Sequence, residues 1–137
     1  MNRFLASIAT SLLLDAGCAP AAEKFPSISD LNAHREDHDG ERMTLRGYLV
    51  LGEEQQYIVS DPKSYTLWSR ESNCLSLLNA DIAIEDEKRF NGKLVEVMGV
   101  FRKSLKGIIT LSACGDSAID IGSDPGKNIV ILDQHRG

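Results

Sequence analysis

Residues 39–49 read DGERMTLRGYL, and residues 91–101 read NGKLVEVMGVF. One pattern is written twice: Asp or Asn, then Gly, an alternating apolar run, a second Gly and an apolar pair. In the first copy Met43, Leu45, Gly47, Leu49 and Leu51 share one face, while Thr44, Arg46, Tyr48 and Val50 share the other. Successive side chains of a strand point to opposite faces, so this period of two predicts a long strand. In the second copy Val95, Val97, Gly99 and Phe101 share a face, and Gly99 takes the place of Gly47. A glycine on an apolar face permits the coil or bulge that a small barrel needs when one strand serves two of its sides. The doubling therefore reads as two neighbouring barrel strands with matching coils.

The rest of the chain is placed around these strands. EKFPSIS (23–29) reads as a linker, and LNAHRED (31–37) as a short helix running to Gly40, capped by Ser29 or Asp30 and anchored by Leu31. After the first copy, GEEQ (52–55) turns the chain and QYIVS (56–60) makes a second strand. SDPKSYTLWSRESN (60–73) is long for a hairpin loop and opens with the turn signal Asp61-Pro62. CLSLL (74–78) is the third strand. NADIAIEDEKRF (79–90) is a helix candidate with Asn79 or Asp81 as cap, acids first and Lys88-Arg89 last, ended by Asn91-Gly92. The alternation of Ile82 and Ile84 leaves its first turn open to an extended form. The second copy is the fourth strand. RKSLKG leads to IITLSA (108–113) as the fifth, with AIDI (118–121) continuing it after a break at Cys114-Gly115; IVIL (129–132) in the tail could add an edge strand.

The expected class is mainly β: a five-stranded Greek-key barrel with a short N-terminal helix and a helix between strands 3 and 4, the order of the OB-fold. The run DGERMTLRGYLV, YIVSD, CLSLL, NGKLVEVMGVF resembles the stand-alone exported OB-fold proteins of Gram-negative bacteria. In these a short helix precedes a DG-x-x-V-x-h-x-G strand and an NGK-x-V-x-V-x-G-x-F strand returns. The resemblance covers residues 27–121 and specifies a fold better than an activity. It implies that the first and fourth strands are antiparallel neighbours that close the barrel, and that the third and fifth lie parallel.

Length and composition agree with one exported domain. The chain has 137 residues, 42% of them hydrophobic, and a net charge of −5. Arg3 and Asp15 cancel, so the mature part carries the whole negative charge, which repels a phosphate backbone at long range; no nucleic-acid partner is expected. Residues 1–21 read as a signal peptide: MNR, then the apolar FLASIATSLLL, too short to span a bilayer comfortably. LLLDAGC resembles a bacterial lipobox with Cys18 as the lipidation candidate, although Asp15 stands where an apolar residue is usual. Ala19-Pro20-Ala21 resembles an ordinary cleavage site, so periplasmic release and membrane anchoring through Cys18 both stand. The domain boundaries follow: a linker at 22–28, the barrel domain at 29–122 and a tail at 123–137.

Removing or lipidating Cys18 leaves Cys74 and Cys114, an even number in an oxidising compartment. The resemblance places them on neighbouring parallel strands, which favours a disulfide. Yet Cys74 opens its strand and Cys114 ends its own, which would hold them apart unless the register is shifted. A disulfide and two unpaired buried thiols both remain open.

Little in the sequence points to chemistry. His34 and His38 in HREDHD have helical zinc spacing, but no third ligand accompanies them and the only other histidine is His135. A solvated helix end explains them, and neither metal nor cofactor is expected. There is no Gly-x-Ser-x-Gly elbow, no Gly-rich phosphate loop and no carboxylate in an apolar setting, so the chain reads as not an enzyme. Two stretches could carry binding. One is the 60–73 loop with Tyr65, Trp68 and Arg70; the other is the basic loop with Arg102, Lys103 and Lys106. Aromatic and basic residues together can stack bases or sugars. The resulting expectation is a non-catalytic binding module acting through protein–protein interaction in the cell envelope, an immunity or inhibitor protein being one form. The alternative is a periplasmic binder of small anionic or oligomeric ligands through the basic loop.

Overall fold

The computed structural model describes residues 17, 25–52, 55–63, 73–80, 86–106, 114–122 and 125–132. The expected signal segment apart from Gly17, with Cys18 in it, the loop residues Tyr65, Trp68 and Arg70, and IITLSA lie outside the described residues. The elements run α1 (Ile28–Ala33), α2 (Arg35–His38), β1 (Arg42–Gly52), β2 (Gln55–Val59), β3 (Cys74–Leu78), α3 (Glu87–Phe90), β4 (Leu94–Arg102), β5 (Ala118–Asp120), α4 (Pro125–Asn128) and β6 (Ile129–Ile131).

The strands close into a five-stranded barrel in the order β1-β2-β3-β5-β4, with β4 returning to β1. Every pairing within it is antiparallel except β3 with β5. Closure removes the free edges that an open sheet of this size would present. β1 serves two sides: residues 42–48 pair with β4, and residues 48–52 pair with β2. β4 is also shared. It lies against β1 along residues 94–100, against β5 at residues 100–102, and against β6 at residues 95–97. The tail thus supplies an added strand, from IVIL.

The β1–β4 pair carries the doubled motif as a local two-fold arrangement. Leu45 faces Val97 at its centre, and Gly47↔Val95 mirrors Met43↔Gly99. Each strand is entered from a four-residue helix through an Asx-Gly turn, α2 into Asp39-Gly40 and α3 into Asn91-Gly92. Asp39 has φ −58 and ψ 126, Asn91 has φ −62 and ψ 131, and the glycines follow at φ 82 and 73. Glu41 N–H donates to the His38 carbonyl at 3.0 Å, and Lys93 N–H to the Phe90 carbonyl at 3.1 Å. These are type II turns, whose third residue needs a positive φ and therefore glycine.

Each turn also clamps the opposite strand. Gly40 N–H donates to Phe101 O and Gly92 N–H to Leu49 O, both at 2.8 Å. In return Phe101 N–H donates to Glu41 O (2.9 Å) and Leu49 N–H to Lys93 O (3.1 Å). The Asx side chains complete the set: Asp39 Oδ1 accepts from Lys103 N–H (3.0 Å), and Asn91 Oδ1 from Leu51 N–H (2.9 Å). Backbone groups that the ladder leaves open at its two ends are thereby satisfied.

The second glycine of each copy has a different task. A Cβ on Gly47 would lie 2.7 Å from both Val59 O and Ile58 Cγ1. A Cβ on Gly99 would lie 2.6 Å from Asp120 O and 2.8 Å from Ile119 Cγ1. These are the points where β1 meets β2 and β4 meets β5, so the missing side chain is what lets each strand bend onto its second neighbour.

The barrel interior is filled by Leu45, Leu49, Ile58, Leu75, Val95, Val97, Phe101 and Ile119, each at most 1% exposed. Ile28 and Leu31 of α1, Phe90 of α3 and Ile129 of β6 join the same cluster. Ile28 is thus part of the fold, one residue before the expected start of the domain. The helix cap differs from expectation: Ser27, not Ser29 or Asp30, accepts from Asp30 N–H (3.1 Å). The buried Ile28 is the first residue of the helix, so the cap position falls on Ser27. The helical stretch is also broken at His34, which separates α1 from α2.

Two sets of substitutions test this arrangement. Gly47→Ala and Gly99→Ala should each lower stability by about 1–3 kcal/mol, since the clashing oxygens are backbone and cannot swing away. Asp39→Ala and Asn91→Ala should each cost about 1 kcal/mol, and similar amounts, because they remove equivalent bonds. Urea denaturation of the four variants measures both; unaltered midpoints for the glycine variants would contradict the close approach.

Candidate functional site

Three parts of the barrel's outer surface bear on function. The first is the outside of β2 and β3, with Tyr57, Val59, Cys74 and Ser76. These residues are between 1% and 4% exposed, so the two strands are buried on both faces. Tyr57, Val59, Cys74 and Cys114 form a second small core, against which Tyr48 and Val50 pack. Cross-strand pairs Tyr48↔Val59, Val50↔Tyr57 and Val59↔Cys74 bring it together. Tyr57 therefore belongs to a core and is not an exposed stacking platform.

A disulfide joins Cys74 to Cys114 across this face, with a Cα–Cα distance of 5.5 Å. The geometric objection raised by the sequence disappears once β5 is identified. The described strand parallel to β3 is Ala118–Asp120, with Ser76↔Ala118 in register. Both cysteines therefore precede the paired segment and lie at the same end. Ser76 N–H donates to Ser117 O (3.2 Å), holding the chain after Cys114 against β3.

The second part is the basic loop after β4. Arg102 is 3.9 Å from Asp120, a loose pair between an exposed guanidinium and a partly buried carboxylate. Lys103 donates to Glu36 at 2.5 Å, and this bond, with the Glu36 charge, holds its ammonium above the usual lysine range. Surface pairs of this kind add little stability, but they offset charge locally. Lys106 is exposed, and its ammonium has no acid partner among the described residues. The expected cationic patch is therefore largely met by Asp120 and Glu36, acids distant in sequence. Arg102 ends β4, and Lys103 and Lys106 follow it in one loop; Tyr65, Trp68 and Arg70 lie outside the described residues.

The third part is the outer face of β1, β4 and β6. Arg46 donates to Glu96 Oε1 from Nε (2.9 Å) and Nη2 (2.6 Å), and its guanidinium lies 4.1 Å from the Phe25 ring centre. The cation–π contact ties the N-terminal segment to β1. In the two-fold arrangement the place of Arg46 is taken on β4 by Met98, which is 40% exposed. Val130, opposite Glu96 on β6, is 51% exposed. These are the exposed large hydrophobic residues among the described ones, and the strand register makes them diagonal neighbours. No composition signal marked this patch, because Met98 and Val130 look like core residues until the faces are assigned.

The histidine pair does not assemble a metal centre: among the described residues no group of three or more His, Cys, Asp or Glu is placed to hold an ion. His34 stands at the break between α1 and α2 and His38 ends α2, so the two histidines do not sit within one helix. His34 Nδ1–H donates to Asp30 O (3.1 Å), and His38 Nδ1 lies 2.9 Å from Glu41 Oε2. Also among the described residues, no helix is long and apolar enough to cross a membrane.

The disulfide gives a direct test. Its loop spans a sequence separation of 40, for which the chain-entropy model gives about 4 kcal/mol. The protein purified from an oxidising compartment should gain the mass of two hydrogens on reduction, and Cys114→Ser should lower stability by about that amount. Two thiols alkylated in the unreduced, denatured protein would contradict it.

No protein-family model matches the chain, and no curated protein matches it either.

Proposed function

We propose that the chain is an exported, non-catalytic OB-fold module that works by binding another protein in the cell envelope, with an immunity or inhibitor role as one form of that activity. The observation that carries this reading is the contrast between the two outer faces. The outside of β2 and β3, which OB-folds commonly use for oligomeric ligands, is buried here and stapled by Cys74–Cys114. The outside of β4 and β6 is open and presents Met98 and Val130 beside the Arg46–Glu96 pair. An apolar centre rimmed by charge suits a protein partner better than a polysaccharide or nucleic acid. The two copies of the motif are alike on their inward face and diverge here, at Arg46 and Met98.

Export rests on the N-terminal signal pattern, with Cys18 as the lipid anchor in the lipoprotein form. The loop with Tyr65, Trp68 and Arg70 is the second surface of this reading, and Trp68 would be its anchor. Binding of small anionic ligands through Arg102, Lys103 and Lys106 ranks behind, because Asp120 and Glu36 already answer two of those charges.

In-cell photo-crosslinking from position 130, with mass spectrometry of the adduct, tests the proposal. The expected result is one discrete envelope protein. Its affinity for the purified chain should fall by about tenfold or more in Met98→Asp, with an unchanged melting temperature. Trp68→Ala is expected to weaken the same complex, an aromatic anchor contributing about 2 kcal/mol or more. If neither substitution changes the affinity of the captured protein, the docking reading is wrong. If Trp68→Ala unfolds the chain, Trp68 is core and its loop is not the anchor.

A further inference from the structure

Beside the disulfide, on a different part of the surface from Met98 and Val130, the structure contains a pocket of about 400 Å³ lined by Asn32, Arg35, Gly115, Asp116 and Ser117. Its volume falls at the lower end of the range usual for small-molecule sites. One wall is the α1–α2 stretch and the other is the chain that follows Cys114. The two walls are tied together: Asn32 Nδ2 donates to Cys74 O (3.0 Å), and Cys74 is bonded to Cys114. The pocket is therefore held open by covalent and hydrogen-bonded structure and needs little ordering before it receives a ligand.

The lining chemistry is specific. Arg35 and Asp116 are exposed side chains of opposite charge that border the same pocket, yet they do not lie within ion-pair distance of each other. Neither has an ion-pair partner among the described residues. Ser117 is only 4% exposed. Its carbonyl is used by Ser76, but its hydroxyl makes no hydrogen bond with any described residue. A buried hydroxyl without a partner is costly and uncommon, and a ligand group in the pocket would satisfy it.

We propose that this pocket binds a small zwitterion of the α-amino-acid kind. The Arg35 guanidinium matches the planar carboxylate with paired N–H donors. Asp116 receives the ammonium group, and the Ser117 hydroxyl bonds to the ligand between them. A simple anion would meet Asp116 and a simple cation would meet Arg35, so the opposed charges select a molecule that carries both.

The test is an NMR titration of the full mature chain with L-alanine, L-glutamate and L-phenylalanine, with acetate and methylammonium as single-charge controls. Amide signals of Gly115, Asp116 and Ser117 should move and saturate with at least one amino acid, and either control should bind at least about tenfold more weakly. Arg35→Gln and Asp116→Asn should each weaken binding by about tenfold without altering the melting temperature. Ser117→Ala should also weaken it while leaving the unliganded protein at least as stable, since it removes a buried hydroxyl that bonds to none of the described residues. The proposal is overturned if no amino acid shifts these three amides at about 50 mM, a concentration well above the weakest useful affinity. It is equally overturned if acetate binds as well as the amino acids, or if binding survives both charge substitutions.

Discussion

The pairing of β1 with β4, clamped at each end by an Asx-Gly turn, is the constraint on which the barrel depends. Each turn uses its glycine for a positive φ, makes two ladder bonds to the opposite strand, and accepts with its Asx oxygen from one further amide, Leu51 within β1 or Lys103 just past β4. Because the pair is antiparallel, two copies of one motif satisfy both ends with the same geometry. β2 and β5 can then join only if β1 and β4 bend onto them, and Gly47 and Gly99 provide the room. Closure, bending and the inward alternation of Leu45, Leu49, Val97 and Phe101 thus follow from one short pattern used twice.

The same constraint separates structure from function. Residues that face inward have equivalent places in the two copies, since both must fill one core. Outward residues are released from that requirement and differ: Arg46 is held by Glu96 and Phe25, while its counterpart Met98 stands exposed. The disulfide adds a second division. It closes the outer face of β2 and β3 over a small core of its own and, at its border, fixes the two walls of a polar pocket. The proposed docking face and the proposed ligand pocket therefore lie on opposite outcomes of the same folding problem, one left open and one built.

Much of the barrel was legible because strand alternation is local. The period of two from Met43 to Leu51 and from Val95 to Phe101 marks β1 and β4, and CLSLL coincides with β3 to the residue. Other features depend on partners far along the chain. The loop Arg102-Lys103 looked cationic because Asp120 and Glu36 are distant in sequence, and only folding brings them close. The disulfide looked awkward because the apolar run before Cys114 outweighed the short AID strand after it, and it is AID that lies beside β3. Ser27 carries no local cap signal, because nothing near it in sequence marks Ile28 as a core residue. The pocket left no signal at all: Asn32 and Arg35 are separated from Gly115, Asp116 and Ser117 by most of the domain.

The most direct test of the architecture is hydrogen exchange at the clamp amides, followed by NMR. Matched protection is expected within each equivalent pair, Gly40 with Gly92, Phe101 with Leu49 and Lys103 with Leu51, because the members of each pair donate to acceptors in equivalent positions. Protection of Phe101 and Leu49 should approach that of global unfolding, as expected for bonds that break only when the barrel opens. Rapid exchange at Gly92, Leu49 and Leu51 while Gly40, Phe101 and Lys103 stay protected would show that the second copy is not a clamp, and would contradict the two-fold closure.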